Sequence, residues 1–199
     1  MKIHARNPRG KAPYIQEQQL EQVLACCTHP LHALRDKALL LIAYNLGLRA
    51  KEIAALRLVD VYSQDWNMVD TIRLTKTKGN RTREVPLVHE RTREAIAAYI
   101  SWRRDAHWLG NNEGPLFRTQ RGGHFSPDSL QRHFHEMYDR AGLKASSHSG
   151  RRSFATRLIE RGVDIFTVMT LMGHANINTT QVYFSTSPER LRNAAKLLG

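Results

Sequence analysis

Between Ala38 and Leu48 the chain is apolar around almost the whole circumference of a helix. Leu34, Ala38, Leu41 and Ile42 mark one stripe, and Leu39 and Leu40 carry the apolar surface round to the other side. A helix of that kind is stable only where other elements cover it from every direction. Asn45 interrupts the run, which falls short of the ~20 residues a bilayer span requires. It therefore predicts the central helix of a globular core. With 199 residues, the chain can bury that helix inside one sizeable domain and has little left for a second core.

The rest of the sequence supplies the cover and sets its chemistry. Hydrophobic residues make up 41% and charged residues 24%, the balance of a folded rather than a disordered chain. Lys and Arg number 30 against 18 Asp and Glu, a net charge of +12. Such an excess repels itself unless a polyanion is near, and nucleic acid is the commonest one. Two adjacent cysteines, Cys26 and Cys27, give neither a disulfide framework nor a zinc spacing. The polar, basic start from Met1 to Lys11 lacks an apolar stretch behind it, so a secretory leader is not expected. A reducing cytoplasm fits these features.

Helical spacing is expected from about Gln16 to Cys27, from His32 to Asn45, briefly from Ala50 to Leu56 after a break at Gly47, and from His89 to Trp108. Thr71–Leu74 and Thr82–Leu87 read as strands joined through Gly79-Asn80, with Pro86 at an edge or strand end, and Leu116-Phe117 reads as a third short strand. Ser126-Pro127 has the chemistry of a helix start, running to Gly142. Three or four short helices follow from Ser147, with Ser147 itself as N-cap. Gly150 lies early in the first of them and predicts a late start or a bend. The expected fold is mainly α with a small antiparallel β-sheet, organised as a basic arm over 1–12, a main domain over 13–186 and a C-terminal helix over 187–199.

Three stretches concentrate chemistry: Gly47-Leu-Arg-Ala-Lys-Glu-Ile53, His148-Ser-Gly-Arg151, and Leu171-Met-Gly-His-Ala-Asn-Ile-Asn-Thr-Thr-Gln-Val-Tyr183. Between the first two lies Arg73 to Arg83, with five basic residues (Arg73, Lys76, Lys78, Arg81 and Arg83) and no acidic one, the clearest DNA-tracking surface. His148 and Arg151, three apart, share a helix face and can reach one anion. In this order and spacing the boxes resemble the catalytic domain of the tyrosine recombinases, the phage-integrase family, from about Pro13 onward. Two departures stand out. Ser149 and Gly150 occupy positions usually acidic and apolar, and Arg152 replaces a frequent histidine.

The resemblance implies a site-specific DNA recombinase that needs no ATP, cofactor or metal. Tyr183 is the implied nucleophile, forming a 3′-phosphotyrosine; a phenol with pKa ≈ 10 needs a cationic site to ionise. Arg49 and Arg151 would grip the two non-bridging oxygens, as planar, permanently charged donors suit that task. His148 would share the phosphate, and His174 would bond it or the nucleophile's oxygen. Lys78 is the implied general acid for the leaving 5′-hydroxyl, with Lys76 the competing assignment. Glu52 is either a buttress for Arg49 or a solvent-exposed helix charge. His133 and His135, two apart, should face away from each other and hold no metal. The implied partner is double-stranded DNA carrying a specific recombination site. The chain would act as a homo-tetramer on DNA, being a monomer or weak oligomer when free, in the bacterial cytoplasm at the nucleoid. The C-terminal helix, with Leu191, Ala194, Ala195 and Leu198 on one face, is either exchanged between protomers or folded back. With only an arm ahead of the domain, the chain is expected to be either an excised catalytic fragment or a short member similar to the fimbrial phase-variation recombinases, the latter slightly favoured. A monomeric type IB topoisomerase-like activity and a non-catalytic DNA-binding regulator are the rival readings.

Overall fold

The computed structural model describes residues 12–75, 82–110, 112–174 and 176–181. The arm up to Lys11, the hairpin turn with Lys76, Lys78 and Arg81, and the segment with Tyr183 and 187–199 lie outside the described residues. Eight α-helices, a short 3-10 helix (Leu58–Asp60) and two strands are described. The α-helices and strands are α1 (Glu17–Ala25), α2 (Ala33–Asn45), α3 (Ala50–Ala55), β1 (Thr71–Leu74), β2 (Arg83–Pro86), α4 (Glu90–Asp105), α5 (Pro127–Arg140), α6 (Ser147–Glu160), α7 (Ile165–Met172) and α8 (Ile177–Gln181).

The apolar helix α2 is the centre of the core, as its sequence requires. Ala38 through Tyr44 are all buried, and α2 makes its most extensive contacts with α4 on one side and α6 on the other. The α4 side adds Ile96, Tyr99 and Ile100, while Leu130, Phe134, Met137 and Tyr138 come from α5. A smaller cluster of Ala155, Ile159, Val168 and Met172 joins α6 to α7. The strands pair antiparallel, with Thr71 opposite Pro86 and Leu74 opposite Arg83. Ile72 and Val85 point inward while Thr71, Arg73, Glu84 and Pro86 face out, the alternation of a half-buried ribbon. Arg93 on α4 staples this ribbon to the body, its Nη1 donating to the carbonyls of Val69 at 2.9 Å and Leu87 at 2.8 Å.

Three local expectations are corrected. Leu116-Phe117 is not a strand. The segment runs beside residues 56–59, with Leu116 N–H donating to the Leu56 carbonyl at 2.8 Å, but pairing is confined to one bridge between Arg57 and Pro115. Proline has no N–H with which to extend a ladder. Secondly, the N-cap of α6 is Ser146, one residue earlier than expected: its Oγ accepts from His148 N–H at 3.3 Å, and its own N–H donates to Ser149 Oγ at 3.0 Å. This reciprocal pair is worth roughly 1 kcal/mol and secures the first turn.

Thirdly, α6 neither starts late nor breaks at Gly150; it is a 14-residue helix that passes straight through it. The glycine is there for proximity. A Cβ at 150 would lie 3.0 Å from the Ala43 carbonyl carbon and from its Cβ, so α2 and α6 approach at backbone distance. Gly150→Val therefore forces them apart, and a loss of about 1–3 kcal/mol of stability is expected. It should appear as a lower urea midpoint at unchanged slope.

Candidate active site

The three chemical boxes arrive at one place because three helix ends do. After α2, Gly47 turns the chain with φ +61, a left-handed conformation that glycine adopts without strain. Leu48 is buried, and Arg49 becomes the N-cap residue of α3. Glu52, in the first turn of α3, accepts the Arg49 N–H at 2.7 Å through Oε2 and Arg49 Nη1 at 3.0 Å through Oε1. Glu52 is thus the buttress of Arg49, with 17% of its side chain exposed. On α6, Arg151 is buried and donates from its two terminal nitrogens to the carbonyls of Gly47 and Met172. Its Nη1 also stands 4.0 Å from Glu52 Oε2. At the end of α7, Gly173 takes φ +60, and the following His174 N–H closes back on the Met169 carbonyl at 3.1 Å, a glycine-terminated helix end. The Gly173 carbonyl lies 3.5 Å from Arg49 Nη2. His174 Nδ1 is 2.8 Å from the buried hydroxyl of Thr180 on α8.

A cleft of about 840 Å³ opens over this junction, lined by Arg49, Glu52, Arg73, Arg83, Gly173 and His174 among others. Its basic side chains, which also include Lys51 and Arg57, outnumber its two carboxylates, Glu52 and Asp60. Both carboxylates are bonded by arginines, so the field left over is positive. Burial pushes the Glu52 carboxyl upward, but Arg83, the Arg49 N–H, Arg151 and Arg49 outweigh it and hold Glu52 below its ordinary value. His148 and His174 respond the opposite way. Desolvation, then Arg151 and Arg49, lowers the pKa of His148, and the same causes with Arg83 push His174 down to about 4. Two imidazoles, one in α6 and one just beyond the end of α7, thus lie in the field of the same two arginines, and both are neutral donors or acceptors near pH 7.

The sequence-derived site divides as follows. Arg49, His148, Arg151, His174 and Glu52 converge. Arg73 stays at the surface, paired with Glu84 at 3.1 Å. Arg83 turns inward, its side chain only 13% exposed and paired with Glu52 at 2.8 Å. Lys76, Lys78, Arg81 and Tyr183 fall outside the described residues. Lys51 and Arg57 were not singled out from sequence although both line the cleft; Lys51, two positions beyond Arg49, was the available signal. No group of three or more metal-ligating side chains occurs among the described residues. His133 instead bonds the buried Asp36 at 2.7 Å.

The His174 environment has a measurable consequence. A histidine whose folded pKa lies below its ordinary 6.5 leaves the unfolded chain binding more protons between the two values, so stability falls as pH drops from about 6.5 to about 4. In an NMR titration the His174 ring should protonate near pH 4. The acid-induced drop in melting temperature over that window should be smaller in His174→Gln.

Comparison with known proteins places the chain in a family. The family model described as phage integrase family matches residues 13–190. The chain is 34% identical over 192 residues to the tyrosine recombinase XerC of Mesorhizobium japonicum, covering 94% of this chain and 59% of that protein. It is 31% identical over 197 residues to the tyrosine recombinase XerA of Pyrococcus horikoshii, covering 96% and 64%. The chain therefore spans about three fifths of the length of these relatives. Among solved structures, the XerH site-specific recombinase bound to palindromic difH substrate superposes with a TM-score of 0.71 at 25% identity, over 94% of this chain and 53% of that one. The catalytic domain of bacteriophage HP1 integrase shares the fold, with a TM-score of 0.64 at 21% identity, over 94% of this chain and 95% of that domain. With the family model matched over residues 13–190, the chain belongs to the phage integrase family.

Proposed function

We propose that the chain is a site-specific DNA recombinase that cleaves and rejoins strands without ATP or metal. The observation that supports it is that Arg49 and His174 line one positive cleft, while Arg151 bonds the carbonyls of Gly47 and Met172 and His148 lies in the field of both arginines. In the reaction, the Tyr183 hydroxyl gives up its proton to solvent, its oxygen attacks the scissile phosphorus, and the bond to the 5′-oxygen breaks. A 3′-phosphotyrosine forms, and the departing oxygen takes a proton from Lys78. Attack by the 5′-hydroxyl of a partner strand reverses each step, so the bond energy is conserved in the protein–DNA ester. Arg49 and Arg151 neutralise charge that grows on the non-bridging oxygens, the kind of preorganised donation worth roughly 10²–10³ in rate per donor. Neutral His148 and His174 supply hydrogen bonds that do not compete with the arginines for the anion. Exchange of strands between two sites calls for four copies on paired duplexes. A protein acting on bacterial DNA would work in the cytoplasm, at the nucleoid. Separately, no described helix is long and apolar enough to cross a membrane.

The test is covalent capture. The full chain is incubated, with chelator and without nucleotide, with a pool of nicked duplexes of randomised sequence whose cleavage releases a short strand and so cannot reverse. An SDS-resistant adduct is expected, enriched for a limited set of sequences and abolished by Tyr183→Phe. An adduct that survives that substitution rejects the nucleophile, and tight sequence-selective binding without any adduct rejects the enzyme. Supercoil relaxation without sequence preference would identify a topoisomerase instead.

A further inference from the structure

Arg83 sits at the start of β2, immediately beyond the turn of the basic hairpin, and its guanidinium is committed on both sides. Nη2 donates to Glu52 Oε2 at 2.8 Å, the same oxygen that accepts the Arg49 N–H. Nη1 donates to the Leu171 carbonyl in the last turn of α7 at 2.6 Å. The aliphatic stem lies across Gly173, where a Cβ would come within 2.6 Å of Arg83 Cδ. Gly173 is therefore needed twice, for its left-handed turn and to admit this side chain. With 13% of its side chain exposed, Arg83 is held by these two protein acceptors in the DNA-free chain. One planar fork thus joins the hairpin strand to the helix that carries Arg49 and to the turn that carries His174.

We propose that Arg83 is a positioning residue for strand cleavage. It fixes the spacing between strand β2, the Glu52 clamp on Arg49 and the Gly173–His174 turn, so that seating the hairpin on DNA and assembling the phosphate grip are one event. A lysine cannot replace it fully, because a single ammonium does not span two acceptors in a plane. The inference rests on the strand-transfer reading above, and it assigns Arg83 a role other than the DNA contact its place in a basic hairpin suggested.

The experiment compares Arg83→Met and Arg83→Lys with the wild type, using a duplex recovered by the covalent capture. At saturating DNA, Arg83→Met should cleave about 100-fold more slowly, the scale of a small misplacement of reacting groups. DNA affinity should stay within about 2-fold and its salt dependence unchanged, since no phosphate contact is lost. Arg83→Lys should recover part of the rate. Combining Arg83→Met with Glu52→Gln should cost little more than the worse single change, because both disable one linked unit. Weakened binding with a shallower salt slope and an undiminished rate at saturation would overturn the proposal in favour of a DNA contact. Additive losses in the double variant would overturn the coupling through Glu52. A wild type that forms no adduct with any duplex removes the strand-transfer reading and the positioning role with it. In that case faster amide exchange at residues 171–174 in Arg83→Met would mark a purely structural tie.

Discussion

Replacing Arg151 with alanine should reduce covalent strand cleavage by about 10²–10³ at saturating DNA while leaving a folded but less stable protein. Two consequences are separable. The catalytic one follows, under the proposed reaction, from losing a donor that would meet charge developing on the phosphate. The structural one follows from the DNA-free geometry, in which Arg151 ties the Gly47 carbonyl ahead of α3 to the Met172 carbonyl at the end of α7. Removing a charged donor from two buried carbonyls costs about 1.5–3 kcal/mol, and it leaves Glu52 with one fewer cation nearby. Arg151→Lys should retain much of the stability but not the rate, because a point charge cannot hold two acceptors in one plane. Single-turnover cleavage and a urea melt on the same preparations separate the effects.

The largest purely structural loss is expected at Arg103, in the last turn of α4. It is 1% exposed. Its guanidinium donates to the carbonyls of Pro115 at 2.9 Å, Leu116 at 2.8 Å and Leu109 at 2.6 Å, with two longer bonds to that of Trp108. No carboxylate pairs with it among the described residues. Its charge is balanced by carbonyl dipoles, and in return it folds the 108–116 loop back onto α4. Desolvation therefore lowers its pKa, yet an arginine stays charged at any physiological pH. Arg103→Met keeps most of the volume but orphans these carbonyls together, so a destabilisation of about 3–5 kcal/mol is expected. For a domain of this size that should lower the melting temperature by roughly 10 °C or more. A change under about 1 kcal/mol would show that the loop holds itself.

These two arginines illustrate what the sequence revealed and what it hid. The central helix was legible because an apolar surface all the way round admits only one location. The Ser126-Pro127 start of α5 was legible because side chain and ring chemistry act locally; Ser126 Oγ does accept the Ser129 N–H, at 3.1 Å. The convergence of Arg49, His148, Arg151 and His174 was read from the order of three boxes by resemblance, since nothing local to any box says which helix ends will meet. Contacts between distant segments were invisible. Gly150 read as a helix weakness because its closeness to Ala43 joins residues far apart in the chain. Arg83 read as a DNA contact because alternation along a basic hairpin does not report that one guanidinium meets Glu52. Asp36, buried at 2% exposure between Arg35 and His133, likewise gave no signal beyond an ordinary helix charge.

The central claim is that Arg49 and Arg151 compensate negative charge on a single scissile phosphate. It is tested most directly by taking the charge away from the DNA rather than from the protein. A captured duplex is prepared with one non-bridging oxygen at the scissile position replaced by methyl, each diastereomer in turn, and offered to Arg49→Ala and Arg151→Ala. The account predicts that each variant, nearly inert on the ordinary phosphodiester, forms the Tyr183 adduct on the neutral linkage, and that the two variants prefer opposite diastereomers. Arginine variants that remain equally inactive on charged and neutral linkages would contradict it.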